Sequence, residues 1–468
     1  MGKKQQNTPE FDLVNYAVNL SFDHIDSAAR QHVAHLIFDT VGIAIGAYAK
    51  GHKSGLITEN HSRKVYSCAQ GSKLWSGRGH VPADVAALCN GTWAEVLDYQ
   101  DVVVDPRNNG HAGVTIVPAA FAVAERQGSS GAELITAISA GLEVTLAILK
   151  AVGREHRNQG RGFRTTSIAS PIGAAIACSK LLGLNQQETL YAMGLAGACA
   201  PTGLMPSLAP SNGSFGMDKD WACGLGAQLG VNAADLAHCG MTSSDRVITG
   251  ELGIVASFAG GDAKALEIPQ GGTPNIGAFA LKKFAACYGV HSAMEAAIDL
   301  MVQNEITRAH ISKVIVRVKA DSAVTLAGRN ISNHMAARFS LPYAVASAVI
   351  RGTHSSAEDF EEPSIFDQEV LKFMEKIEII ADADLTEFHK KTGGFPAHVE
   401  IHNRGEIQQK EIHYPIGSLQ RPMTWDDLSQ KFIELTKSHL PETHLQHILQ
   451  TAQQLLELKD IREFSKLL

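Results

Sequence analysis

Residues His310–Ala320 read HISKVIVRVKA, a strand in a chain whose character changes around Pro274. Val314, Val316 and Val318 alternate with other residues at the period of a half-buried strand. Upstream, from about Phe11 to Gly272, the text is helical. Ser27–Ala49, Ala132–Val152, Ile172–Leu182, Glu188–Cys199 and Cys223–Ala237 repeat apolar residues at helical spacing. Ser170-Pro171 reads as the opening of one helix, and Asn185-Gln186-Gln187-Glu188 as a capping box for the next. Gly183, Gly240 and Gly253 read as helix ends. After Pro274 come a helix at about Ala293–Gln303, the strand just quoted, and strands at Glu375–Ile380 and His398–His402. Asn403-Arg404-Gly405 then turns into Ile407–His413 as a hairpin. Beyond Pro415 helices return, one opened by Thr424-Trp425-Asp426-Asp427 and one at Thr443–Leu456. The expected fold is mainly α. A large all-α helical domain, 1–274 plus 415–468, carries an inserted smaller α+β lid domain, 275–414, with a cleft between them.

Composition narrows the function. At 468 residues the chain exceeds one comfortable core. The net charge of −7 argues against a nucleic-acid surface, although a local basic cluster can still receive an anionic small molecule. The seven cysteines, Cys68, Cys89, Cys178, Cys199, Cys223, Cys239 and Cys287, are scattered and never spaced C-x-x-C, which points to a reducing, cytoplasmic setting. No secretory h-region follows the polar start MGKKQQNTPE, and no uninterrupted apolar run predicts a membrane span. Gly46–Ser54, GAYAKGHKS, nearly spells a P-loop, but His52 separates Gly51 from Lys53 and a helical run precedes it. H-E-x-x-H, G-x-S-x-G and a post-strand G-x-G-x-x-G are all missing. His32 and His35, at i and i+3, read as an ordinary helical pair, not as metal ligands.

Five polar segments interrupt this apolar text. Leu97–Glu125, LDYQDVVVDPRNNGHAGVTIVPAAFAVAE, places Asp98, Asp101, Arg107 and His111 in a loop between helical runs. Asp105-Pro106 and Asn108-Asn109-Gly110 are turn punctuation, so Asp98 and His111 need not lie far apart. Titratable side chains held by apolar neighbours suit acid/base chemistry; alone, the stretch equally fits a capped helix end with a surface loop. Arg161–Ser167 precedes an Ala-rich helix and could seat a carboxylate, or simply cap the helix. Lys219, between Asp218 and Asp220, reads as a solvated salt bridge when taken alone. Lys282-Lys283 lies at the proposed domain junction, where a lysine pair is ordinarily surface. Tyr343 opens an apolar helix and fits a core position as well as a chemical one.

Taken in order, these segments resemble the MmgE/PrpD family, which includes 2-methylcitrate dehydratase, cis-aconitate decarboxylase and iminodisuccinate epimerase. The resemblance spans nearly the whole chain. It rests on Phe38-Asp39-Thr40-Val41-Gly42, Asn90-Gly91-Thr92, Leu97-Asp98-Tyr99, Gly110-His111 and Val117-Pro118-Ala119-Ala120. It continues through Gly224, Ala233–Ala237, Ser340-Leu341-Pro342-Tyr343, Tyr414-Pro415-Ile416-Gly417 and Arg421-Pro422-Met423. It implies a helical domain with a lid, an active site in the cleft, a homodimer and no organic cofactor or metal. Asp98, His111, Lys219, Lys282 and Tyr343 match the family's active-site pattern. The departures are His111-Ala112 for His-Pro, Gln100 in the acidic run, and Arg164 where the decarboxylases carry a catalytic His. A guanidinium does not shuttle protons at neutral pH.

The resemblance implies proton transfer next to a carboxylate of a small di- or tricarboxylate. His111 is the expected acid/base, tuned by Asp98, with Lys219 and Tyr343 as further catalytic groups. Arg164, Lys282, Asp101 and Arg107 are expected to hold substrate. Dehydration of a citrate-like hydroxy acid ranks first, ahead of epimerisation of a dicarboxylate such as iminodisuccinate and decarboxylation of cis-aconitate. A non-catalytic ligand-binding homologue is the reading from a different class.

Overall fold

Ser27–Ala49 forms one helix of 23 residues, started by Asp26, whose side chain accepts the Ala29 N–H at 2.8 Å. It heads a chain that is mainly α in the computed structural model, which describes residues 8–66, 71–153, 162–204, 216–259, 266–352 and 356–468. Cys68, Arg161 and the first seven residues lie outside the described residues. Against Ser27–Ala49 pack the helices Trp425–Thr436, Ala83–Glu95, Gly113–Gln127 and Gly131–Val152, and Thr165–Leu181, Gln186–Cys199 and Asp218–His238 pack on these helices and on one another. Ser27–Ala49 and Gly131–Val152 are long and apolar enough to cross a membrane, but 78% and 89% of their most apolar windows are buried inside the protein. They are core helices.

The expected capping box at Asn185 forms, with the Asn185 side chain accepting from Gln187 and Glu188 N–H groups. Ser170-Pro171, by contrast, opens nothing: the helix runs Thr165–Leu181 with Pro171 inside it. Proline removes one rung of the helical ladder. The Ser167 carbonyl, four residues back, instead accepts the Thr202 N–H at 3.4 Å, so the missing rung leaves no orphan. Gly253 precedes the short helix Ile254–Ala259 instead of ending one.

Eight strands are described. β1 (Ser72–Lys73) pairs with β2 (His80–Val81), and β3 (Val102–Val103) pairs antiparallel with β4 (Phe279–Ala280). β5 (Ile311–Lys319), β6 (Ile377–Asp382), β7 (Ala397–Asn403) and β8 (Glu406–Ile412) form a four-stranded sheet in the order β6-β5-β7-β8. β5 and β6 run parallel, and the other two pairings are antiparallel. The β7–β8 hairpin turns on Arg404 and Gly405, both at positive φ, as a two-residue turn requires. Helix Trp425–Thr436 returns to the helical core, where Phe38 meets Trp425 and Phe432 at 4.9 Å between ring centres.

One crossing positions the site. Helices Ala83–Glu95 and Asp218–His238 run antiparallel, with Gln228 bonded to Asp84 at one end and Lys219 to Glu95 at the other. Between these ends Gly91 and Gly224 meet backbone to backbone. A Cβ on Gly224 would lie 2.2 Å from the Leu88 carbonyl oxygen and 2.4 Å from Thr92 Oγ1. Gly224→Ala is therefore expected to cost about 3 kcal/mol or more in urea unfolding, because backbone cannot yield as a side chain can. Full stability of this variant would show that the crossing is not tight.

Candidate active site

Helix Ala83–Glu95 ends in apolar text, and its final residue, Glu95, is fully buried. Three residues on, Asp98 donates its N–H to the Glu95 carbonyl and adopts φ 50°, a left-handed conformation unusual outside glycine. Asp tolerates it better than most residues, and strained backbone concentrates at functional sites. The β3–β4 pairing then joins the chain just after Asp98 to the chain just before Lys282. Arg164 stands at the N-cap of Thr165–Leu181, and Lys219 in the first turn of Asp218–His238.

These side chains meet in a dry chain of alternating charge. Arg164 Nη2 lies 2.5 Å from Glu95 Oε1, and Lys219 Nζ lies 2.7 Å from the same oxygen. Lys219 also reaches Asp98 Oδ1 at 3.1 Å, and Lys282 reaches Asp98 Oδ2 at 3.1 Å. Lys282 further donates to the Asp98 carbonyl at 2.6 Å, and Arg164 Nη1 to the Lys219 carbonyl at 2.9 Å. None of the five is more than 2% exposed. Burial opposes ionisation of Glu95, but Lys219 and Arg164 outweigh it and hold the carboxyl down to about 2. Asp98 is likewise held below the carboxylate range, burial being outweighed by Lys282 and Lys219. The anions keep Lys219 and Arg164 protonated against the same burial. Lys219 is thus a fixed cation and not a base.

His111 borders this chain and is only partly buried. Its Nδ1 lies 2.5 Å from the Asp101 carbonyl. A carbonyl only accepts, so Nδ1 carries the proton and Nε2 holds the lone pair. Its backbone is fixed as well, with the N–H donated to Thr166 Oγ1 and the carbonyl accepting from Ser170. Burial, then the positive charge of Lys282, lowers the imidazole to about 4, so it is neutral at pH 7. Among the described residues, no group of three or more His, Cys, Asp or Glu side chains is placed to hold a metal.

The MmgE/PrpD N-terminal domain matches residues 12–267, and the MmgE/PrpD C-terminal domain matches residues 284–457. The chain belongs to the MmgE/PrpD family. It is similar to a cis-aconitate decarboxylase of Homo sapiens, 24% identical over 466 residues that cover 96% of this chain and 92% of the relative. A cis-aconitate decarboxylase of Mus musculus is 25% identical over 246 residues, about half of each chain (51% and 47%). The cis-aconitate decarboxylase-like protein oryM of Aspergillus oryzae is 23% identical, covering 99% of this chain and 98% of its own.

Of the residues expected to form an MmgE/PrpD site, the fold brings together Asp98, His111, Lys219, Lys282 and Arg164. The others stand elsewhere or are otherwise engaged. Tyr343 is buried with its hydroxyl donated to the Asp359 carbonyl at 2.5 Å, and the charges that act on it are Asp359, Arg351 and Asp367. Asp101 accepts from the N–H groups of Ala112, Gly113 and Val114 at 2.9–3.1 Å and so caps helix Gly113–Gln127. Arg107 forms a bidentate surface pair with Glu267. Arg164 is not an open carboxylate clamp, because Glu95 already engages it.

Glu95 itself is the residue that sequence reasoning missed. Its signal was a carboxylate at the apolar end of a helix whose only other charged residue is Asp84, three residues before Asp98. Asp220, bonded to Ser54 and raised by burial to about 6, and Arg338, paired with Glu361, also border the cluster without having been singled out.

These placements separate two neighbouring loop residues. Asp101→Ala is expected to lower the unfolding free energy by about 2 kcal/mol through loss of the cap. Arg107→Ala should cost under about 1 kcal/mol, since the pair is solvent-exposed. Urea unfolding at pH 7 checks both, and equal costs would mean that Asp101 is not acting as a cap.

Proposed function

We propose that this protein is a lyase that acts on a small carboxylic acid by proton transfer next to a carboxylate, with dehydration of a citrate-like hydroxy acid as its reaction. The observation that carries this reading is His111, neutral, fixed in one tautomer by the Asp101 carbonyl and set beside a cationic cluster. Nε2 takes a proton from the carbon next to the carboxylate. The negative charge that develops on that carboxylate is stabilised by Lys282 and Lys219, which are held in place before the reaction. The imidazolium so formed returns the proton to the departing hydroxyl, and water leaves with no carbon–carbon bond broken. One acid/base group suffices when both transfers occur on the same face.

This single-base arrangement ranks epimerisation lower, because that reaction needs a second proton carrier on the opposite face. Tyr343 is turned away, and Lys219 is held protonated. Decarboxylation is the second reading, favoured by the names of the relatives. Against it stands Arg164, locked to Glu95 where the resemblance expects a proton-shuttling His. A non-catalytic binding role fits less well with a base prepared in this way. The lid division at 275–414, a homodimer and a cytoplasmic setting belong to the same proposal.

Proton NMR in D2O with citrate, 2-methylcitrate, cis-aconitate and iminodisuccinate tests the reading. Loss of water without carbon dioxide supports it, and itaconate from cis-aconitate overturns it in favour of decarboxylation. His111→Ala should lower turnover by about 100-fold or more. Because the base works only when neutral and its folded value is about 4, kcat/KM should hold on acidification and fall near pH 4. An acid limb near 6.5, the ordinary imidazole value, would assign the base elsewhere.

A further inference from the structure

Counted whole, the buried cluster is close to neutral at pH 7. Arg164, Lys219 and Lys282 face Glu95 and Asp98, and Asp220 adds a third carboxylate next to Lys219 on helix Asp218–His238. Arg338 is paired with Glu361, which also meets His52 at 3.0 Å, and Lys431 is paired with Asp39. Asp218 is exposed, and His334 and Cys223 are neutral at pH 7. A di- or tricarboxylate therefore enters a cluster with no positive charge to spare, and an anion leaving water needs one.

Most of the acidic groups cannot make room by taking a proton. Glu95 is held down to about 2 by Lys219 and Arg164, and Lys282 and Lys219 hold Asp98 below the carboxylate range. Asp101 is raised by burial to about 6, but its anion is the form that caps helix Gly113–Gln127. Asp220 differs. It is 5% exposed, Ser54 Oγ donates to its Oδ2 at 2.7 Å, and among the described residues nothing donates to its buried Oδ1. A proton can land on Oδ1 and leave the Ser54 bond intact. Burial and Glu95 favour that proton, Lys219, Ser54 and Arg338 oppose it, and the balance sets the carboxyl at about 6.

We infer that Asp220 takes up a proton from solvent as an acid binds beside Lys219, which turns the neutral cluster positive in step with the arrival of the anion. This rests on the lyase reading and adds to it how the site accommodates more than one carboxylate. The incoming carboxylate raises the affinity of Asp220 for its proton, and by reciprocity the protonated Asp220 tightens binding of the carboxylate. Affinity therefore falls as pH rises from about 6, where free Asp220 ionises.

Isothermal titration calorimetry with malate, repeated at pH 6, 7 and 8 in buffers of different ionisation heat, tests this, because the carboxyls of malate itself stay ionised over that range. The wild-type protein should bind malate about tenfold more weakly at pH 8 than at pH 6 and take up roughly half a proton per malate at pH 7. Asp220→Asn fixes the neutral form. It should bind within about twofold at every pH, about tenfold more tightly than wild type at pH 8, with no proton uptake. His111→Gln should keep the wild-type uptake. Uptake unchanged in Asp220→Asn, uptake lost in His111→Gln, or no binding of malate to the wild type at pH 6 overturns the inference. If Asp220→Asn does not fold, Ser54→Ala decides: without the Ser54 bond the anion is less favoured, and the fall in affinity should move up by about one pH unit. A fall that does not move overturns the inference. Failure of the lyase reading looks different. If malate binding follows pH as expected yet citrate and 2-methylcitrate lose no water, the dehydratase assignment falls and the role of Asp220 stands. If water is lost and Asp220→Asn keeps the wild-type uptake, the role of Asp220 alone falls.

Discussion

Glu95 and Asp98 share their oxygens among Arg164, Lys219 and Lys282 in a space with almost no solvent exposure. Taking such ions out of water costs several kcal/mol each, and their attraction offsets this only if the geometry is close and the remaining donors are satisfied. Much of the surrounding fold supplies that geometry. The glycine crossing lets the helix of Glu95 lie against the helix of Lys219 at backbone distance. The two-residue β3–β4 ladder brings Lys282 under Asp98, and the left-handed turn at Asp98 aims its carboxylate at both lysines.

The last part of the chain takes part in the same construction. Lys431 is buried on helix Trp425–Thr436, where it pairs with Asp39 at 2.7 Å and donates to the carbonyl of Lys282 at 2.9 Å and that of Tyr99 at 3.3 Å. It also sits 3.7 Å from the centre of the Tyr99 ring. A single ammonium thereby holds the segment after Asp98, the segment of Lys282 and the long helix Ser27–Ala49 together. The result is a buried row of cations beside a partly buried imidazole.

Much of the fold was legible because its signals are local. Apolar periodicity marked Ser27–Ala49 and Gly131–Val152 almost to the residue, valine alternation marked β5, and Arg404-Gly405 marked the hairpin. The two-residue strands were not legible, since so short a ladder has no period to detect. Pro171 misled because a proline ordinarily starts or breaks a helix, and only the distant Thr202 N–H makes it tolerable inside one. At the site, the order of segments pointed to Asp98, His111, Lys219 and Lys282. Lys282 and Lys283 are adjacent lysines, yet one is fully buried and the other exposed, and no local rule tells them apart.

The sequence by itself determined the mainly α character, the segments that carry polar groups into apolar surroundings, and membership of a family whose site pattern it keeps in part. Tertiary structure decided what those groups do. Tyr343 and Asp101 matched expectation by position, but hydrogen bonds to the Asp359 carbonyl and to a helix N-terminus use them up. Glu95 gained its importance from partners 69 and 124 residues away in sequence. The physical reason is that charge and protonation depend on burial and on neighbours a few ångströms away, and those neighbours come from segments that meet only when the chain is folded.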